Sequence, residues 1–224
     1  MRVALAFITT MPTNVYIDGF NLYYGSVKGT PFKWLDLGAL CQRLLPAATI
    51  HRIRYFTARV SPSPDDPGAA TRQDVYIRAL RTIPNISIHF GHFVRWPRLM
   101  PQYPLAYPHG VTAPQAVQVL KTEEKGSDVN LGVYLVRDCF VHDFTEAVIL
   151  SNDSDLAEAV RIVASEGCCP VKVINPHRHN RISRELCTVS SSQMASINSS
   201  ALRACQFSSS MTDSVGVFSK PPSW

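Results

Sequence analysis

Apolar residues follow two different spacings along most of the chain. Five segments show loose alternation or continuous apolar character and are rich in β-branched and aromatic residues, which is typical of strands. They are "NVYIDGF" (14–20), "TIHRIRYFTARV" (49–60), "ISIHFGHFV" (86–94), "EAVILSND" (146–153) and "PVKVINP" (170–176). Segments between them place apolar residues at helical spacing, as "LDLGALCQRLLP" does before its proline. Strands that alternate with helices predict an α/β fold with three layers: a central, mainly parallel β-sheet and helices on both faces.

Two later helices have clear boundary signals. In "SDVNLGVYLVRDCFVH" (127–142), Ser127 is placed as an N-cap, and Val129, Val133, Val136 and Phe140 recur at helical spacing. In "SDLAEAVRIVASEG" (154–167) the closing glycine is typical of a helix end. Both segments are therefore predicted as helices.

Three stretches depart from this alternation. Residues 1–13 precede the first strand pattern without a small-residue cleavage site, so we expect an N-terminal extension, or a translation start at Met11, rather than a signal peptide. A proline-rich run near 95–115 predicts an exposed insertion, because only "AVQVLKTEE" follows before the core pattern resumes. The serine-rich end, 191–224, is weakly patterned and predicts an irregular tail with one short helix around "SINSSALRACQF". One domain is thus expected over 14–190.

Composition excludes several classes of protein. The chain has 224 residues, of which 46% are hydrophobic, and a mean hydropathy near zero, as in ordinary globular domains. Its apolar runs are shorter than the roughly 20 residues of a membrane span. Six cysteines are scattered without the spacing of zinc or redox motifs, which favours reduced thiols and a cytoplasmic protein. A net charge of +5 favours a polyanionic partner.

Acidic residues stand where predicted strands end and helices begin. Asp18 ends the first strand, and Asp153 and Asp155 follow the apolar run "AVIL". Asp128 lies in the first turn of the helix after "EEKGS". Because the carboxyl ends of parallel strands meet at one edge of a sheet, these carboxylates are expected to converge, and they then need a compensating cation, proton or hydrogen-bond donor. Oxygen ligands of this kind suit Mg²⁺ or Mn²⁺.

Simpler roles exist for individual residues. Asp128 complements a helix dipole, and Asp155 can cap its helix, but capping does not explain Asp18 together with Asp153. Asn21, three residues after Asp18, can bond or ligate from the same loop or serve as an ordinary turn residue.

Several stretches of this sequence resemble the NYN domain family, the LabA-like branch of the PIN-like nuclease superfamily. These are "VYIDGFNLYY", "KTEEKGSDVNLGVYLVRDCF" and "AVILSNDSDLAEAVRIV" followed by "VKVINP", and together they extend from about Asn14 to Pro176. The resemblance implies a PIN-like fold and a metal-dependent ribonuclease site at Asp18, Asp128, Asp153 and Asp155, with Asn21 beside the first. It also shows a departure, because many NYN domains carry another Asp where this chain has Tyr134. Asp138 lies one turn further on.

A ribonuclease would need positive charge to hold RNA beside the carboxylates. The segment "NPHRHNRISRE" supplies Arg178, Arg181 and Arg184, and Lys125 precedes the helix of Asp128. We expect these side chains to hold the backbone of single-stranded RNA, although Lys125 also fits a solvated charge run with its glutamate neighbours.

The hypothesis is therefore an Mg²⁺- or Mn²⁺-dependent ribonuclease without membrane segments, with homo-oligomerisation left open. The alternative is a catalytically weak or inactive PIN-like module that binds RNA or a protein. Tyr134 favours this alternative, because it stands where many NYN domains carry another Asp. An aspartyl phosphatase is disfavoured, because it needs a second Asp two residues after its nucleophile and Phe20 stands there. A receiver domain is disfavoured because its paired acids and late lysine are not evident.

Overall fold

A computed structural model describes residues 12–62, 64–110, 112–177, 183–194, 196–222 and 224. The expected N-terminal extension lies outside the described residues apart from Pro12 and Thr13, and so do Arg178 and Arg181.

Seven strands form the central sheet, in the order β4-β3-β2-β1-β5-β6-β7. They are β1 (Pro12–Asp18), β2 (Thr49–Ala58), β3 (Ile86–Pro101), β4 (Ala116–Lys125), β5 (Glu146–Leu150), β6 (Val171–Ile174) and β7 (Ser192–Met194). All neighbouring strands pair in parallel except β3 and β4. The predicted mainly parallel sheet is confirmed. The chain first builds outward from β1 to β4 and then returns to β5 on the other side of β1, so the strand order reverses between β1 and β5, where such sheets place their ligands.

Helices cover both faces of the sheet, which confirms the three predicted layers. They are α1 (Gly19–Leu22), which continues into a π-helical turn (Tyr23–Val27), α2 (Leu37–Leu44), α3 (Ala69–Leu80), α4 (Ser127–Phe140), α5 (Ala157–Ser165), which follows a 3₁₀ turn (Ser154–Leu156), α6 (Arg184–Val189) and α7 (Ser199–Ala204). Val15 and Ile17 of β1 pack towards α2, α3 and α7, whereas Tyr16 between them packs towards α4, α5 and α6. The two-residue period of a strand thus supplies both cores.

Helix α4 forms as predicted, yet three of the four apolar residues that signalled it lie outside its buried side. Val129, Val133 and Phe140 are 69%, 59% and 54% exposed. The side that faces the sheet carries Leu131 and Leu135, both fully buried. Helical spacing therefore located the helix but not the face that packs.

The proline-rich stretch begins inside a two-stranded ribbon, because its residues up to Pro101 belong to β3. β3 pairs with β2 up to Gly91, and from His92 to Pro101 it pairs only with β4. Prolines are tolerated there because a ribbon edge without a second neighbour needs no N–H donor on that side. The tip of the insertion remains exposed, with Tyr103 91% accessible.

The C-terminal segment is more ordered than the sequence indicates. The expected short helix is present as α7, and β7 adds a parallel strand to β6. A hairpin of β8 (Ser210–Asp213) and β9 (Gly216–Ser219) then packs Phe218 against Trp34, which is fully buried. Arg78 of α3 holds this hairpin through a bidentate pair with Asp213, at 2.7 Å for both bonds. Residues after 190 therefore share the core of the domain.

Within the described ranges, none of the helices combines the length and the apolar character that a bilayer crossing requires.

Candidate metal centre

Asp18 is fixed at the carboxyl end of β1 by two hydrogen bonds. Its Oδ1 accepts a bond from the Asn21 N–H at 2.9 Å, which caps α1, and its Oδ2 accepts one from the Ser151 hydroxyl at 2.9 Å. The residue is only 3% exposed. A carboxylate this buried depends on those donors for part of its compensation.

Asp153 lies in the loop that follows the neighbouring strand, β5. Its Oδ1 accepts a bond from the Asp155 N–H at 3.0 Å and so caps the 3₁₀ turn. Its own N–H donates to the Ser151 hydroxyl oxygen at 3.1 Å. Ser151 thus bridges the two acids, because the same hydroxyl donates to Asp18.

Asp128 reaches the same place from a different element, the first turn of α4. The turn before it needs glycine at Gly126, whose φ is +98°. Glu124 accepts bonds from the backbone N–H and the hydroxyl of Ser127, at 3.2 and 2.8 Å. A close approach by Gly91 of β3 completes the turn, since a Cβ there would lie 2.5 Å from the Lys125 carbonyl oxygen.

These three carboxylates, hereafter the acidic trio, form one cluster. One oxygen from each of Asp18, Asp128 and Asp153 lies within 4.8 Å of the others. Burial raises the pKa of Asp18, the bonds from Asn21 and Ser151 oppose that effect, and Asp153 adds to it. Burial, followed by the charges of Asp18 and Asp153, raises the pKa of Asp128 from 3.8 to about 7. The cluster therefore requires a proton or a cation at neutral pH.

The donor set fits a hard divalent cation. All the ligand atoms are carboxylate oxygens, which Mg²⁺ and Mn²⁺ prefer, and Zn²⁺ sites usually include nitrogen or sulfur. In the part of the chain that the structure describes, the trio is the only group of three or more acidic, histidine or cysteine side chains whose ligand atoms all lie within 4.8 Å of one another. A proton alone would neutralise one of the three charges, whereas a divalent cation balances two.

Asn21 and Asp155 lie beside the trio in different ways. The Asn21 amide oxygen accepts bonds from the Asn152 N–H at 3.1 Å and from His177 Nε2 at 2.9 Å. It therefore ties α1 to the loops after β5 and β6, which suits an orienting role. Asp155 is exposed and is not part of the 4.8 Å cluster, although its charge contributes to the raised pKa of Asp128.

The two described basic candidates lie near this edge. Lys125 ends β4 and pairs with Glu123 at 2.7 Å. Arg184 is exposed at the start of α6. The adjacent Ser183 N–H donates to the Asn152 side-chain oxygen at 2.8 Å, which brings the start of α6 to the loop that carries Asp153.

Tyr134 and Asp138 belong to a different cluster beneath α4. Asp138 is fully buried and accepts two bonds from Arg54, at 2.6 and 3.0 Å, and one from the Tyr16 hydroxyl at 2.9 Å. The Arg54 guanidinium lies 4.5 Å from the centre of the Tyr134 ring, which also packs on His89. Burial and Arg54 lower the pKa of His89 to about 4. Asp138 therefore compensates Arg54 and does not join the acidic trio.

The sequence placed the three acids of the trio together with Asp155 in one predicted site. Ser151, between strand and acid, is a candidate donor from its position alone, and its hydroxyl does donate to Asp18. Two other supports were missed. His177 gave no signal, because its contact with Asn21 joins residues 156 positions apart. Gly91 looked like an ordinary strand glycine, and only the path of β4 reveals why a side chain does not fit there.

Two openings flank the trio. A groove of about 720 Å³ runs between α4 and α5 and is bordered by Asp128, Asp155 and Lys125. A smaller cavity of about 280 Å³ lies beside α1 and includes Gly19 and Phe20, the residues directly after Asp18.

A mainly parallel sheet with an acidic trio where its strand order reverses is the architecture expected of the NYN domain. The family model "NYN domain" matches residues 12–198, and the chain belongs to this family. The match concerns the NYN domain as a whole, so assignment to the LabA-like branch stays a prediction.

Two similar proteins extend this comparison. The 6-hydroxy-3-succinoylpyridine 3-monooxygenase of Pseudomonas putida is 30% identical over 219 residues, covering 87% of this chain and 69% of that protein. A crystal structure of a protein of unknown function from Vibrio parahaemolyticus superposes with a TM-score of 0.54 at 14% identity. It covers 89% of this chain and 98% of that one, and supports the fold alone.

Proposed function

We propose that the protein is a divalent-metal-dependent ribonuclease that hydrolyses phosphodiester bonds in single-stranded RNA. The observation that carries the proposal is the acidic trio, whose carboxylate oxygens lie within 4.8 Å of one another at the edge where the strand order reverses. Membership of the NYN family supports it, because this family is placed in a nuclease-like superfamily.

Each side chain at the acidic site has a separate role in this proposal. Asp18, Asp153 and Asp128 hold Mg²⁺ or Mn²⁺, and such an ion activates water and stabilises charge on a phosphate. Ser151 fixes the first two carboxylates relative to each other. Asn21 orients the loop of Asp18, and Asp155 contributes a direct or water-mediated contact from the rim of the groove.

Substrate binding is assigned to the basic side chains around the trio. Lys125 lines the groove beside Asp128, and Arg184 lies at the start of α6. We include Arg178 and Arg181 with them on sequence grounds. These cations offset the repulsion between the carboxylates and the RNA backbone. The six cysteines stand as free thiols, which is consistent with the cytoplasmic setting we propose.

Cleavage of a fluorescent single-stranded RNA tests the proposal. We expect cleavage to require Mg²⁺ or Mn²⁺, to stop with EDTA, and to fall in Asp153→Asn by more than the roughly 10- to 100-fold typical of outer-shell changes. Glu158→Gln is the matched control, since it removes one exposed carboxylate of the neighbouring helix α5 and should leave the rate unchanged. Equal cleavage by wild type and Asp153→Asn would reveal a contaminant and refute the assignment. Metal-dependent RNA binding without cleavage would favour the binding-module alternative.

A second candidate is oxygenation of a heteroaromatic acid. The 30% identical relative bears the name of a monooxygenase for a hydroxypyridine with a succinoyl chain, and the cavity beside Asp18 has aromatic walls. Oxygen uptake that depends on 6-hydroxy-3-succinoylpyridine and on a two-electron reductant would support this function. Absence of such uptake from a protein that cleaves RNA would leave the ribonuclease as the function.

A further inference from the structure

Six aromatic side chains line the small cavity beside α1, and one of them is Tyr55 of β2. Phe20, Tyr23 and Tyr24 come from α1 and the π-helical turn, Tyr76 comes from α3, and Trp224 closes the cavity from the C-terminus. Its volume of about 280 Å³ is just below the roughly 300 Å³ at which typical small-molecule sites begin. The cavity is therefore suited to a single flat ring rather than to a polymer segment.

The cavity and the acidic trio share one wall. Gly19 lines the cavity and directly follows Asp18. A Cβ on Gly19 would lie 2.7 Å from both the Tyr55 ring and the Tyr55 hydroxyl, so this ring packs against the backbone that carries Asp18. Burial raises the pKa of Tyr55 to about 12, and the nearby charge of Asp18 contributes to the rise.

The rim of the cavity is polar and largely fixed. Gln73 donates to the Ala58 carbonyl oxygen at 2.8 Å and accepts from the Val60 N–H at 2.9 Å. The Tyr76 hydroxyl donates to the Leu35 carbonyl oxygen at 2.8 Å. Because these groups are already bonded, the lining is preorganised and a ligand need not reorder it.

The charge of the cavity favours an anion. Arg72 and Asp66 form a pair across the lining, which leaves Lys33 as an additional positive charge. Among the residues that the structure describes, Lys33 has no carboxylate within 4.0 Å of its ammonium. The lining thus carries a net positive charge of about one, by formal charges at neutral pH.

We propose that this cavity binds a planar heteroaromatic ring that carries an anionic group, with the ring against the aromatic walls and the anion near Lys33 and Arg72. Aromatic side chains stack on any flat base, and such stacking tolerates different rings. Two sources share this chemistry. One is an unpaired nucleotide of single-stranded RNA, which rests on the proposed ribonuclease function, and the other is a free heteroaromatic acid.

Equilibrium binding to the full chain in EDTA tests the proposal independently of cleavage. The probes, measured by isothermal titration calorimetry, are uridine and adenosine 5′-monophosphates for the first source and 6-hydroxypyridine-3-carboxylate for the second. Ribose 5-phosphate is the control that retains the anion and lacks the aromatic ring. We expect at least one ring-bearing probe to bind about tenfold or more tightly than ribose 5-phosphate.

Matched variants locate the binding. Tyr24 is 60% exposed, so Tyr24→Ala should fold normally and weaken the ring-bearing probe by about tenfold. Phe140 on the outer side of α4 is 54% exposed and lies outside the cavity, so Phe140→Ala should leave binding unchanged. Lys33→Met should weaken ring-bearing anions and leave uncharged uridine unaffected. Circular dichroism confirms that each variant is folded.

The outcomes separate this proposal from the proposed function. Nucleotide binding identifies RNA as the source, and binding of the hydroxypyridine acid alone identifies a free acid. Equal affinity for ribose 5-phosphate, no binding of any ring-bearing probe, or an unchanged affinity in Tyr24→Ala would each overturn the cavity proposal, whether or not RNA is cleaved. Ring binding lost in Tyr24→Ala without any RNA cleavage would retain the cavity proposal and remove the ribonuclease.

Discussion

Replacing Asp128 by asparagine should stabilise the metal-free protein. The carboxylate lies within 4.8 Å of two others, and burial together with their charges raises its pKa from 3.8 to about 7. An amide of the same size removes the charge and keeps the shape. Asp128→Asn therefore relieves repulsion at the site while removing an acid that the proposed function needs, which is the usual conflict between stability and activity.

The sign and size of the effect follow from this pKa. The folded chain holds the Asp128 proton more tightly than the unfolded chain, so the free energy of unfolding falls as pH rises from about 4 to about 7, and the penalty is complete above that range. The difference between 3.8 and about 7 sets an upper limit of about 4 kcal/mol. Asp128 is partly exposed, and solvent screening reduces this to about 1–2 kcal/mol. A chain of this size should then gain about 2–8 °C in Tm.

Thermal unfolding in EDTA at pH 8 and pH 5 measures the effect. Asp128→Asn should raise the Tm at pH 8 and have a much smaller effect at pH 5, where wild-type Asp128 already holds a proton. Glu158→Gln makes the same charge change at an exposed site and should not reproduce the gain. Adding Mn²⁺ should stabilise wild type more than the variant. An equal gain at both pH values, or no gain at pH 8, would refute the account of the cluster.

Three further outcomes follow from the structure. Gly91→Ala should shift the turn before α4, because its Cβ would lie 2.5 Å from the Lys125 carbonyl oxygen. Calorimetry should then show an Mn²⁺ affinity reduced by about tenfold, and an unchanged affinity would contradict this account. Asp138→Ala leaves Arg54 buried without its bidentate partner and should lower the free energy of unfolding in urea by about 3–5 kcal/mol. Glu158→Ala breaks an exposed pair with Arg161 and should cost far less. Similar losses for both would contradict the burial argument. Because protons compete with the cation at the acidic trio, Mn²⁺ affinity should fall as pH is lowered through about 7, and a flat profile would contradict the raised pKa.

Local sequence patterns carried most of the information about the trio. Asp18 and Asp153 follow apolar strands, and parallel strands bring their carboxyl ends together, so strand type and position sufficed to place two acids at one edge. The start of α4 was located from the helical spacing behind Ser127, but the predicted N-cap was wrong, because Gly126 is the N-cap and the Ser127 hydroxyl donates to Glu124 instead. Their convergence is a structural finding, since the register of the strands and the approach of α4 depend on contacts between distant residues.

The features that sequence reasoning missed depend on long-range partners. The ribbon of β3 and β4 was not predicted, because prolines disfavour strands. They are acceptable here only because the ribbon has a free edge. β7 is three residues long and is a strand because β6 offers it an edge. The role of Asp138 was equally hidden, because its partner Arg54 lies 84 positions away and nothing around either residue indicates the pair. Contacts between such distant residues produce no local spacing of apolar and polar residues from which they could be predicted.

The Asp18–Gly19 step connects the two sites of the protein physically. The Asp18 carboxylate belongs to the acidic trio, and Gly19 lets the Tyr55 ring pack against the adjacent backbone on the side of the aromatic cavity. A ring in the cavity and a cation at the trio would therefore act on the same piece of backbone. By linkage, any change that one ligand makes in the affinity of the other is matched by the same factor in the reverse effect, of the other on the first. This reciprocity holds for a nucleotide and for a free acid alike, because it depends on the shared backbone and not on the reaction.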